Sequence, residues 1–116
     1  MRTSIALIIK YILTFVMAFI AFYLFLDNDI SWIFPLALVG TVTNYIIGDL
    51  LVLPSMGNTV AAIGDGLLAA VTAYFLDLLI PAFDTTWSTL VLFAVLVAIG
   101  EYIFHIYLKR DEKVAP

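Results

Sequence analysis

Lys10, Asp49, Asp65, Glu101 and His105 are ionisable side chains set within long apolar runs, and Asn44 is a neutral polar one in the same setting. A charge at the centre of a membrane helix costs at least ~2.5 to 3.5 kcal/mol on insertion scales, so residues of this kind pair, face a cavity or carry function. One ammonium opposite three carboxylates and an imidazole forms ion pairs and shares protons if all five face one interior. Glu101 and His105 are four residues apart, which puts them on one helical face within hydrogen-bonding reach. Together with Asp49 and Asp65 they would supply mixed oxygen and nitrogen ligands. A single histidine and no cysteine nevertheless make a weak transition-metal signature. Read from residue types alone, this is a salt-bridged packing cluster, with no metal and no cofactor assigned. No nucleophile and base stand at motif spacing, so the chain reads as no enzyme and no catalytic residue is named.

The elements that must position these residues follow from composition. The chain is 65% hydrophobic and 12% charged, with a mean hydropathy of +1.15, against roughly 25% charged residues in soluble domains. At ~20 residues per membrane span, four apolar runs use most of the 116 residues. The fold class expected is all-α, a four-helix transmembrane bundle made of two helical hairpins. It forms one integral membrane domain over 1–116, with spans at about 5–26, 30–53, 59–80 and 85–108. In the first run, Phe22, Tyr23 and Phe25 stand where a cleaved signal would have small residues, so it reads as a helix. Pro35 falls in the first turns of the second span, where a missing amide donor is tolerated. Pro54 is expected to stop that span and Pro81 to close the third, while Asp84 to Thr86 are cap candidates for the fourth.

Depth makes the ionisable residues informative. Counted from the nearer span edge at ~1.5 Å per residue, Asp49 lies ~6 Å in, Lys10 ~8 Å, Asp65 ~9 Å, Glu101 ~10 Å and His105 ~4 to 5 Å. All four spans place a charge in one layer. Asn44 sits deeper, and Asp77, near the other end of span three, reads as an interfacial residue. Arg2 and Lys10 flank the start, Lys109, Arg110 and Lys113 flank the end, and the turns at Asp27 and Asp84 hold no base. The positive-inside rule then puts both termini in the cytoplasm, the polar layer on the cytoplasmic side, and the chain as a multi-pass protein of the plasma membrane. Ala62, Gly66 and Ala70, with Ala69 and Ala73 beside them, allow close helix approach and make span three the expected central helix.

The segment Tyr45-Ile46-Ile47-Gly48-Asp49-Leu50-Leu51-Val52-Leu53-Pro54, followed by Gly57-Asn58-Thr59-Val60-Ala61 and Asp65, resembles the signature of the YndM-like family. Gly100-Glu101-Tyr102-Ile103-Phe104-His105, with Tyr107 and Lys109-Arg110, resembles that family's last helix. The resemblance implies a small four-helix membrane protein of bacilli and their relatives, a domain of unknown function with no activity to carry over. Ser55-Met56-Gly57 stands where the family pattern has a bulky basic residue and Asn, so no basic role is carried to that turn.

The net charge of -4 lacks the basic footprint of a nucleic-acid binder. The partners expected are the lipid bilayer and, beyond it, a second copy or another membrane protein. Two functions compete. One is a structural or regulatory membrane protein with an intramembrane polar cluster on the cytoplasmic side. The alternative is a small oligomeric proton- or cation-coupled transporter working through Asp49, Asp65 and Glu101.

Overall fold

The computed structural model describes residues 3–110. Arg2 and the tail bearing Lys113 lie outside the described residues, as do the side chains of Lys109 and Arg110. Four helices, each long and apolar enough to cross a membrane, make up most of the chain, with no strand among the described residues. Helix α1 is Thr3–Ala18 and continues as a π-helical stretch, Phe19–Leu24. Helix α2 opens on a 3-10 turn, Ile30–Trp32, runs α-helically over Ile33–Thr43, widens to a π-helix over Asn44–Val52 and ends in an α-turn, Leu53–Met56. Helix α3 is Asn58–Leu79 and α4 is Trp87–Arg110. The long dimension is 42 Å, about the thickness of a bilayer with its headgroups.

The second helix runs past Pro54, contrary to expectation. Pro54 sits at the junction where the π-helical stretch gives way to the closing α-turn Leu53–Met56, and the helix continues past it. The helix ends instead at Gly57, whose φ of 85° is open to glycine and strained for most other residues. At the start of α4, Thr86 and Thr89 cap each other: the Thr89 amide donates to Thr86 Oγ1 at 3.2 Å and the Thr86 amide to Thr89 Oγ1 at 2.9 Å. This reciprocal pairing satisfies two amides that a helix start otherwise leaves orphaned.

The four helices stand at the corners of a square. Helix α1 packs on α2 and α4, α3 packs on the same two, and α1 and α3 lie across the diagonal. Span three is therefore not central, and α2 buries the larger share of its span, 44% against 39% for α3. The small residues of α3 set its close approach to α4. A Cβ at Gly66 would run into the Ala94 carbonyl and lie 3.1 Å from the Ala98 Cβ.

Lipid tails are as apolar as leucine, so a membrane bundle puts small and polar residues inside and large aliphatic ones outside. Ala6, Lys10, Thr14 and Ala18 line the buried face of α1 at four-residue intervals, with Ile5, Ile8, Ile12 and Val16 exposed. Thr89, Phe93, Val97, Glu101 and His105 repeat the four-residue stripe on α4. The larger apolar core, built around Phe22, Ile33, Leu36, Phe83 and Phe93, fills the end where the α1–α2 and α3–α4 turns lie. A smaller one, Ala6, Leu53, Ala61 and Phe104, closes the end with the chain termini.

The two turns at the first end are tied together. Asn28, 5% exposed, accepts from the Asp84 amide at 2.8 Å and donates to the Phe22 and Asp84 carbonyls at 3.0 and 2.8 Å. Asp77 accepts from the Thr85 amide and hydroxyl at 2.9 and 2.6 Å, so it closes the α3–α4 turn. Asp29 accepts from the Ser31 amide and hydroxyl, which holds its exposed carboxyl below the ordinary carboxylate pKa.

Candidate functional site

Between the two apolar cores lies a layer of charge. Lys10 from α1, Asp49 from α2, Asp65 from α3 and Glu101 and His105 from α4 are each at most 3% exposed. The four-residue stripes of α1 and α4 aim Lys10, Glu101 and His105 inward, as does the small-residue face of α3 for Asp65. In α2 the π-helix does this work. An α-helix would turn adjacent positions about 100° apart, and the wider π-helical turn keeps Asn44, Gly48 and Asp49 all on the buried face.

Lys10 Nζ pairs with Glu101 Oε2 and lies 3.1 Å from Asp49 Oδ2. His105 Nε2 faces three acids: Asp49 Oδ1 at 2.9 Å, Asp65 Oδ2 at 3.2 Å and Glu101 Oε2 at 3.3 Å. Lys10 also stands 5.2 Å above the ring of Phe104, a cation–π contact that adds to its pairing. Lys10 and Asp65 are not direct partners, since Asp65 is reached through His105. The groups touch one another directly and are buried, so their mutual attraction is screened less than it would be in water.

Asn58, unremarked as a site residue in the sequence, fixes the ring of His105. Its Nδ2 donates to the Tyr102 carbonyl at 3.0 Å, which leaves its Oδ1 2.8 Å from His105 Nδ1. An amide oxygen only accepts, so Nδ1 carries a hydrogen and Nε2 is the atom presented to the acids. A readable signal existed, because Asn58 precedes Asp65 by seven residues and thus shares its face of α3.

Asn44 is fully buried, and both of its side-chain polar atoms lack a hydrogen-bond partner, as does Thr41 Oγ1. No ion pair or hydrogen bond joins Asn44 to the charged residues among the described contacts. Gly48 is tied to the layer by space. A Cβ there would overlap the Asp65 carboxylate, so glycine is what lets α2 and α3 close over that acid. A groove of about 340 Å³ runs along the α2–α3 seam with Gly48, Gly64 and Asp65 in its wall. One ligand atom from each of Asp49, Asp65, Glu101 and His105 falls within 4.8 Å of the others, the spacing of groups able to hold a metal ion.

Fold and layer define a small helical membrane protein whose buried face is organised around charge. The chain belongs to the DUF2512 family, described as proteins of unknown function, whose model matches residues 1–115. Neither the curated proteins nor the solved structures compared with the chain give a match.

Proposed function

We propose that the chain is a non-enzymatic, multi-pass protein of the bacterial plasma membrane, of the YndM-like kind within its family, with a structural or regulatory role. Its charge layer joins the four helices to one another. The observation that supports this reading best is the sealing of the layer: five ionisable side chains at most 3% exposed, facing one another at ion-pair distances. A transporter must let its coupling ion reach an acid from water. Here the acids are closed against Lys10 and His105 instead. The bases at both chain ends and the base-free acidic turns support the orientation in which the termini and the Ser55 turn face the cytoplasm.

Proton flux into proteoliposomes tests the role. The structural reading expects wild-type protein and Asp65→Asn to show the same background flux. A wild-type flux abolished by Asp65→Asn would replace it with the proton-coupled transporter. The chain lacks cysteine, so a single Ser55→Cys variant reports orientation cleanly. Protection from an impermeant thiol reagent in intact cells is expected, and labelling from outside would reverse the topology.

A further inference from the structure

The layer is short of positive charge. Asp49, Asp65 and Glu101 face one ammonium and one imidazole, so with all three acids ionised even a doubly protonated His105 leaves one negative charge that a further proton or a cation must balance. A buried charge in that state is strongly unfavourable. Hydrogen-bond donors run out as well. With Nδ1–H committed to Asn58, the ring has a single N–H for the three carboxylate oxygens that crowd Nε2, and Asp65 Oδ2 accepts no hydrogen bond although it is buried and aimed at that nitrogen.

We propose that the layer binds one divalent first-row transition-metal ion, held by His105 Nε2 and one oxygen from each of Asp49, Asp65 and Glu101. This deepens the reading of the layer as the joint of the bundle, and it rests on that reading. A dication together with Lys10 balances the three carboxylates with the ring neutral, so the ion removes the charge deficit and takes the place of the Nε2 proton, which passes to solvent. The geometry is close to what is needed. Bonds of roughly 2.0 to 2.2 Å put tetrahedral ligand atoms about 3.4 Å apart; the nitrogen-to-oxygen distances here are 2.9, 3.2 and 3.3 Å, and the four ligand atoms together lie within 4.8 Å, so the carboxylate oxygens draw inward when the ion binds.

The surrounding groups complete the pattern. Asn58 accepts from the ring's other nitrogen, the outer-shell contact that orients a metal-bound histidine and fixes its tautomer. Lys10 holds the second oxygen of Asp49, leaving Oδ1 for the ion. An imidazole among carboxylates favours Mn, Fe, Co or Zn over Mg and Ca.

Titration of the purified, tag-free full chain in detergent micelles with Co²⁺, after stripping with a chelator, tests the proposal. Expected are a visible d–d absorption that saturates at one Co²⁺ per chain, its loss on adding Zn²⁺ but not Mg²⁺, and a raised melting temperature. His105→Ala should abolish the band. Because that variant also removes ion pairs, Asn58→Ala is the second probe. Asn58 touches no metal, and its loss should weaken Co²⁺ binding roughly 10- to 100-fold while the chain still melts cooperatively. Wild-type protein that melts cooperatively yet shows no saturable band overturns the site, as does Co²⁺ binding unchanged in both variants. If the band is absent while Lys10→Met still destabilises the bundle, the metal site falls and the ion-pair joint stands.

Discussion

At the end of the bundle where its two long turns lie, Phe22 meets Phe83 and Phe93 edge to face, at ring distances of 5.5 and 5.1 Å. Nearer the chain termini, the same cross-section holds five ionisable side chains and their ion pairs. In water the aromatic end would dominate, because burying each ring removes a large apolar area from solvent. In lipid that advantage shrinks, since a phenylalanine turned outward finds hydrocarbon there too. The charged end has no such escape. Turning Lys10 or Glu101 toward lipid strands a charge, so the polar layer fixes which face of each helix points inward, and the aromatic end packs within that choice.

The comparison breaks first at Lys10. Lys10→Met leaves Asp49 and Glu101 without their ammonium partner and should destabilise the bundle by about 3 to 5 kcal/mol, whereas Phe22→Leu at the aromatic end should lose less than half as much. Unfolding in detergent micelles compares the two, and equal losses would dissolve the contrast. Gly48→Ala should come next, at about 1 to 3 kcal/mol, because the new methyl group must displace the Asp65 carboxylate. If unfolding shows no loss, α2 and α3 are not closed over Asp65 as described.

Asn28 ties the two turns of the aromatic end to each other, and cutting that tie sharpens the same comparison. Asn28→Ala leaves the Asp84 amide and carbonyl without their partner, while the Phe22 carbonyl keeps the residue-28 backbone amide, and should lower stability by about 1 to 3 kcal/mol. Amide exchange should speed at residues 80–86 more than in the charge layer. The smallest effect belongs to Asp29. Its folded-state pKa is lowered by Ser31, so its contribution is present above the ordinary value of 3.8 and fades as pH falls through the lower, folded value. Melting of wild type and Asp29→Asn should therefore converge in acid, and a difference that grows there would contradict the cap.

Much of this was legible in the sequence, for a physical reason. Lys10, Asp49, Asp65, Glu101 and His105 are conspicuous because a charge in an apolar run is expensive, and counting along straight helices put them at one depth. The four helices follow from length and hydropathy alone. Other features depend on backbone detail that side-chain type does not announce. The π-helical stretch of α2, which keeps Asn44, Gly48 and Asp49 on one face, breaks the helical period used for counting. Pro54 looks like a stop until Gly57 is seen to do that job. Nothing in residue type marks Asn28 as the clasp of two turns, and the seven-residue spacing of Asn58 to Asp65 gives its face of α3 but not its hold on the ring of His105, which the folded chain shows.

The central claim is that the buried charges stabilise the bundle through one another, and a double-mutant cycle on Lys10 and Glu101 tests it most directly. Lys10→Met, Glu101→Gln and the double variant are unfolded in the same micelles. Direct pairing predicts that the double variant loses less than the sum of the single losses, with a coupling of about 1 to 3 kcal/mol. Strictly additive losses would mean that Lys10 and Glu101 act independently, which would contradict the account of the layer as a single joint.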